Sequence, residues 1–160
     1  MKERMMHRMG NDLVLTPHRI YNKTSTLALI SALLFLILGI FLFVRSGDFW
    51  QMPLAMGLCV GVPVMIHKIA VVQQQIIIPP GKDAQIVFCI GKIYKSNIVQ
   101  KNEAALISNT LNGKAYYAVT SKKNPYGKSY QISPFLNKKK TALIFEEEVL
   151  PIILQQLEIQ

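Results

Sequence analysis

Two long apolar runs dominate the first half of the chain. The first, residues 26–44, contains nineteen residues without a charge, and the second covers residues 49–66. At a rise of about 1.5 Å per residue, each run is long enough to cross a hydrocarbon core of about 30 Å as a helix. Only a tight turn fits between them. The pattern therefore predicts a transmembrane hairpin within residues 26–75, with spans at about 26–44 and 49–68.

The pattern changes to short strands after the second apolar run. Runs rich in β-branched and aromatic residues alternate with turn residues, and Asn112-Gly113 is the strongest hairpin signal in the chain. We therefore expect residues 76–160 to form a cytoplasmic β-rich domain with an antiparallel meander. The predicted strands lie at 76–78, 85–90, 92–99, 104–108, 114–120 and 129–133.

The end of the chain has helical periodicity. Five apolar residues fall on one helical face, and a run of glutamates at 146–148 suits the early part of a helix. Pro151 leaves two alternatives open: a kinked helix, or a helix that begins near the proline after a strand at 141–145. We expect a C-terminal helix that covers the sheet, with its apolar face formed by Phe145, Val149, Ile152, Ile153 and Leu157. The predicted fold class is a membrane α-helical hairpin plus a small α+β domain.

Residues 1–25 form a basic, methionine-rich segment ahead of the first span. An extended piece is predicted at 13–17, where Pro17 interrupts any regular element. The preceding residues, among them Arg4, Met5 and Met9, suit either a flexible tail or one turn of a helix on a membrane surface. The segment is expected to be separate from the β-rich domain.

The charges predict the orientation of the hairpin. The chain carries a net charge of +9; residues 1–25 hold five Lys and Arg against two acids, and residues 81–160 hold eleven Lys against six acids. The turn between the spans carries only Arg45 and Asp48. This asymmetry predicts a multi-pass membrane protein with both termini cytoplasmic. A cleaved signal peptide is disfavoured because no small-x-small site follows the first run.

Small residues in the spans mark candidate helix contacts. Gly57 and Gly61 are four residues apart in the second span, as are Ala28 and Ala32 in the first. Such spacing lets helix backbones approach closely, either within one chain or between copies and partners. The expected membrane-interface residues are Trp50 at the outer end of the second span and His67 and Lys68 at its cytoplasmic end.

The chemistry expected of an enzyme is missing from the sequence pattern. Residues 76–160 contain no histidine, and their acids, such as Asp83 and Glu103, form no recognisable pair. Cys59 and Cys89 have no neighbours at metal-ligand spacing. We therefore predict no enzymatic activity, no catalytic residues, no cofactor and no metal. The spans also lack a deep ionisable residue, which disfavours a channel or transporter acting alone.

Two lysine clusters remain as candidates for contact with an anionic surface. Their alternatives are solubilising loops and a docking surface for a protein partner. The pattern disfavours nucleic acid as a partner, because the tyrosines form no stacking motif. The clusters comprise Lys122, Lys123 and Lys128, and Lys138, Lys139 and Lys140.

The order of elements resembles small bacterial two-span inner-membrane proteins with a C-terminal pleckstrin-homology-like domain. The two spans, the strands from 76 to 133 and the terminal segment 149–157 carry the resemblance. It implies an interaction or scaffold module without an activity.

We hypothesise a non-catalytic assembly, scaffold or accessory subunit that docks a partner through its cytoplasmic domain. Alternatives are a structural subunit of a larger secretion or envelope machine and an anionic-lipid-responsive module. The expected partners are membrane lipid and a homo-oligomer or membrane-protein complex.

Overall fold

The computed structural model describes residues 1–47 and 49–157 in two compact units. We call them the helical hairpin, Tyr21–Val72, and the β domain, which combines Met1–Ile20 with the chain from Gln73 onward. Asp48 and Glu158, whose charges are counted above, lie outside the described residues.

The helical hairpin consists of α1, Asn22–Ser46, and α2, Gln51–His67, followed by one π-helical turn, Lys68–Val72. Gly47 ends α1 in the left-handed conformation, where glycine carries no Cβ penalty, and its N–H donates to the carbonyl of Leu42 at 3.2 Å. Both helices are long and apolar enough to cross a membrane. In each helix only 11% of the apolar window is buried. Most apolar side chains of the two helices therefore point outward.

The β domain contains a five-stranded antiparallel sheet in which neighbours in sequence are neighbours in space. Strands β2 and β3, which the helical hairpin separates in the sequence, are paired in this sheet. Leu13 is opposite Ile78, and Leu15 is opposite Ile76. The strands are β1 Met6–Met9, β2 Asp12–Leu15, β3 Gln74–Ile78, β4 Gln85–Ile90 and β5 Tyr94–Gln100.

A second, three-stranded sheet follows. It consists of β6 Ala104–Leu111, β7 Lys114–Ser121 and β8 Tyr130–Gln131. Asn112 and Gly113 connect β6 to β7 with positive φ angles of 50° and 73°. A two-residue turn of this kind matches the right-handed twist of the strands. The predicted hairpin is confirmed.

The C-terminal segment is helical from Lys139 to Leu157. It comprises α3 Lys139–Ile144, a π-helical turn Phe145–Val149 and α4 Leu150–Leu157. The alternative strand at 141–145 is therefore wrong. A proline inside a helix crowds the carbonyl four residues before it, which for Pro151 belongs to Glu147. That carbonyl lies within the wider π turn, so the helix accommodates the proline and continues.

One hydrophobic core joins both sheets and the helix. Phe145, Val149, Ile153 and Leu157 recur at every fourth position and are buried, as predicted. Ile152, from the same predicted face, is only partly buried. The other core residues come from strands of both sheets and from positions next to a strand: Met5, Leu13, Leu15, Ile76, Ile78, Ile86, Ala104, Val119 and Ile132.

The prediction of a separate N-terminal segment at residues 1–25 is wrong. Met1–Ile20 belongs to the β domain, and Met5 is 1% exposed instead of lying on a membrane surface or in a flexible tail. The predicted extended piece is present as β2, where Leu13, Val14 and Leu15 are all buried. Burial of this apolar run against β3 holds the N-terminus in the domain.

Candidate functional site

Three of the four predicted small residues, Ala32, Gly57 and Gly61, lie along the contact between α1 and α2. A Cβ atom at Gly57 would lie 2.7 Å from Leu36 Cγ and 3.0 Å from the carbonyl oxygen of Ala32. At Gly61 it would lie 3.3 Å from Ala32 Cβ. Ala28 is half-buried. The glycines therefore allow close packing within one chain, while contact between copies stays a prediction.

Sequence reasoning missed a third glycine in this contact. A Cβ at Gly39 would lie 3.0 Å from the backbone nitrogen of Leu54 and 3.2 Å from the carbonyl of Trp50. Trp50 is half-buried, and its ring meets Phe43 edge to face at 5.2 Å between centroids. The sequence around a single glycine in an apolar run does not indicate which residues of the other helix it contacts. Those residues are determined only by the way in which the two helices pair.

An apolar groove of about 250 Å³ follows the same contact. Leucine, valine and methionine side chains line it together with the small residues Ala32, Gly57 and Gly61. Its lining residues are Leu29, Ala32, Leu33, Leu36, Gly57, Leu58, Gly61, Val62 and Met65.

At the other end of the helical hairpin, Lys68 bonds to the first helix. Its Nζ donates to Thr26 Oγ1 at 3.0 Å, and that hydroxyl donates to the carbonyl of Asn22 at 2.9 Å. The ammonium therefore links the start of α1 to the residue after α2. His67 is exposed, and its predicted place at a membrane interface stays a prediction.

The register of the five-stranded sheet defines two ends of the β domain. Leu15 is opposite Ile76, Gln74 is opposite Ile90, and Ile90 is opposite Tyr94. Since the chain departs for α1 after β2 and returns from α2 before β3, we call this the entry end. The opposite, far end holds the pairs Met9–Asp12 and Gln85–Gln100.

The first predicted lysine cluster is attached to the far end. The N–H of Lys101 donates to the carbonyl of Ala84 at 2.9 Å, and the N–H of Lys122 donates to the carbonyl of Glu103 at 2.7 Å. Lys123 Nζ forms an ion pair with Glu103 Oε1 at 2.6 Å. β4 contains six residues and at about 3.3 Å per residue separates the two ends by about 20 Å.

The loop that carries this cluster presents an aromatic side chain. We call residues 122–128 the basic loop; Thr120 Oγ1 lies 3.4 Å from the carbonyl oxygens of both Asn124 and Lys128. Tyr126 in this loop is 99% exposed, and Lys122, Lys123 and Lys128 are exposed beside it. The second predicted cluster, Lys138, Lys139 and Lys140, is also exposed but lies on a separate element, at the start of α3.

Tyr117 of the β domain has a shifted pKa. Burial, followed by the charge of Glu146 and a hydrogen bond to it, raises the pKa of Tyr117 above its ordinary value of 10.0. The Tyr117 hydroxyl donates to Glu146 Oε1 at 3.4 Å. Among the described residues, no group of three or more His, Cys, Asp or Glu could hold a metal ion.

A comparison of the chain with protein-family models, with curated proteins and with solved structures found no match in any of the three. The function is therefore inferred from the chain's own residues.

Proposed function

We propose that the chain is a non-catalytic docking subunit anchored in the bacterial inner membrane. The helical hairpin is the anchor, and the β domain presents the basic loop to an acidic surface of a partner protein. The observation that carries this proposal is the separation of the two ends of the β domain. The chain enters the apolar helices at one end, and the basic loop is attached to the other.

The exposure of the apolar helices supports membrane anchoring. A core helix of a soluble protein is mostly covered, whereas only 11% of each apolar window is buried here. Lipid is the solvent that such side chains require. Because Met1–Ile20 and the chain from Gln73 onward share one compact unit, both termini belong on the same side of the bilayer. The lysine excess of the β domain favours the cytoplasmic side.

The distance from the entry end favours a protein partner for the basic loop. At physiological salt the Debye length is about 8 Å, and exposed charges separated by more than that are largely screened from one another. Tyrosine is enriched among the residues that contribute most to binding at protein interfaces. Tyr126 is almost completely exposed, and the contacts of Thr120 hold the loop around it. A loop ordered before binding loses less entropy when it binds.

The test is co-purification with the full-length, tagged chain from its native membrane after mild extraction. The K122E/K128E variant leaves the Lys123–Glu103 ion pair intact, and the separate Y126A variant removes the aromatic ring. The K138E/K140E variant changes the charge by the same amount on another element and is the matched control. We expect the first two to lose a specific partner by about tenfold, which corresponds to about 1.4 kcal/mol, while the control retains it.

Two results would contradict this assignment. Retention of the same partners by all variants would show that the basic loop does not dock them. Equal loss in the charge variant and its control would indicate general electrostatic attraction. A purified assembly with a regular number of copies would favour the alternative of a structural subunit in a larger machine.

The pleckstrin-homology-like resemblance stays a prediction. Two antiparallel sheets and a C-terminal helix agree with the content of elements that it implies.

A further inference from the structure

The tip of the β4–β5 hairpin combines apolar and basic side chains on an exposed surface. We call residues 91–95 the hairpin tip. Ile93 is 77% exposed and Tyr94 is 53% exposed, although both are large and apolar over most of their surface. Lys92 and Lys95 on either side of them are also exposed. The headgroup region of a bilayer accommodates both apolar and charged side chains, so this combination suits contact with lipid headgroups.

Backbone contacts bind the hairpin tip to the entry end of the β domain. The N–H of Gly91 donates to the carbonyl of Gln73 at 3.1 Å. Gly91 has a φ of +53°, and a Cβ there would lie 2.6 Å from Gln73 Oε1. Gln73 is bonded directly to Val72, the last residue of the helical hairpin. The tip therefore lies beside the point at which the chain returns from the apolar helices.

The tip is held in place by the residues behind it. The N–H of Ile93 donates to the carbonyl of Ile90 at 3.1 Å. The Phe88 ring meets Tyr94 at 6.4 Å and Tyr130 at 5.2 Å between centroids. These contacts fix the base of the tip, so the exposure of Ile93 follows from the local fold.

We propose that the hairpin tip is a second membrane contact, in which Ile93 enters the headgroup region of an anionic bilayer. Lys92 and Lys95 contact lipid phosphates, and Tyr94 lies at the interface, where its amphipathic ring is favoured. This inference rests on the proposed function, because it requires the helical hairpin to span the bilayer. It assigns lipid contact to lysines that the sequence analysis did not select and leaves the basic loop to a protein partner.

The test uses tryptophan fluorescence in the full-length chain. Trp50 is the only tryptophan in the sequence, so a W50F background makes an introduced indole the only one. I93W/W50F places it at the hairpin tip. M9W/W50F is the matched control, because Met9 is 61% exposed and is the last residue of β1, at the far end of the same sheet. Each variant is reconstituted into vesicles of phosphatidylcholine and phosphatidylglycerol whose acyl chains carry bromine near the headgroup.

We expect bromolipid to quench I93W/W50F severalfold more than M9W/W50F. Adding K92E and K95E to I93W/W50F should reduce that quenching in vesicles with phosphatidylglycerol. Equal, weak quenching of the tip and far-end variants would overturn the proposal. The same result is expected if the tip binds a protein and not lipid. Circular dichroism of each variant verifies that the β domain is folded.

Quenching of Trp50 in the unmodified chain separates the two proposals. If bromolipid quenches Trp50 but not I93W/W50F, the helices are inserted and only the hairpin-tip proposal fails. If bromolipid quenches neither, membrane anchoring fails and the hairpin-tip proposal fails with it.

Discussion

Gly57 of α2 lies so close to Leu36 of α1 that a Cβ atom at the glycine would be 2.7 Å from Leu36 Cγ. The same atom would be 3.0 Å from the carbonyl oxygen of Ala32. The Leu36 side chain and the α1 backbone leave no room for a side chain at position 57, so a glycine there allows the two helices to pack.

Replacing Gly57 with isoleucine should therefore separate the helices. Overpacking of this kind costs about 1–3 kcal/mol, and we expect a lower thermal midpoint for the helical hairpin in detergent. Trp50 reports on this unit by its fluorescence, because it is the only tryptophan in the sequence and contacts Phe43.

G61A is the matched control for this substitution. Its Cβ would lie 3.3 Å from Ala32 Cβ, a contact that a shift of a few tenths of an ångström relieves. Its midpoint should stay near that of the unmodified chain. An unchanged midpoint for G57I, together with loss of an oligomer, would instead show that Gly57 packs between copies.

The N-terminal strands should be required for folding of the β domain. A chain of residues 73–160 lacks Leu13, Val14 and Leu15, which are 1%, 0% and 0% exposed in β2. Burial of each such side chain contributes about 1.5–3 kcal/mol, and a typical domain has only about 5–15 kcal/mol of stability. We expect this fragment to show no cooperative urea transition.

The matched variant replaces Tyr21–Val72 with a short Gly/Ser linker. Strands β2 and β3 are adjacent, with Leu15 opposite Ile76, so a short connection can join their ends. This shortened chain should unfold cooperatively in urea. A cooperative transition with the same midpoint for residues 73–160 alone would show that β1 and β2 are dispensable.

Tyr117 should make the β domain sensitive to alkaline pH. Its pKa is raised in the folded state, first by burial and then by Glu146. A group with a raised folded pKa contributes stability that is present below its unfolded pKa and is lost as the pH rises through the folded value. For a tyrosine the loss therefore begins near pH 10.

Urea midpoints between about pH 8 and pH 11 would measure this contribution. The difference between the unmodified chain and Y117F should decrease across that range, since both chains share the titration of the lysines. Y126F is the control because Tyr126 is 99% exposed, and its difference from the unmodified chain should be constant. A constant difference for Y117F would contradict the role of Tyr117.

The β6–β7 turn should not tolerate a branched residue at its second position. Gly113 has a φ of 73°, and a left-handed conformation costs an L-residue about 1–2 kcal/mol. G113V should lower the urea midpoint of the β domain, whereas T110V, in the adjoining strand, should not. Equal midpoints for the two variants would show that the turn can adopt another conformation.

Local patterns in the sequence were sufficient for most elements. The two apolar runs became α1 and α2, residues 85–90 form β4 as expected, and Asn112-Gly113 forms the predicted turn. Each of these depends on residues that are near one another in the chain. Their spacing and backbone preferences predict the element without knowledge of the tertiary structure. The apolar face of the C-terminal helix, from Phe145 to Leu157, was likewise predicted from the local spacing of apolar residues.

Long-range contacts were outside the reach of such patterns. The pairing of β2 with β3 joins segments on opposite sides of the helical hairpin, and no local feature of residues 1–25 indicates it. The partners of Gly39 and Gly91 were likewise decided by packing. The sequence by itself determined the apolar helices, the strands and the basic charge, because these are properties of neighbouring residues. Only the tertiary structure decided that the N-terminus belongs to the β domain and that the basic loop lies at its far end, because both depend on the register between distant strands.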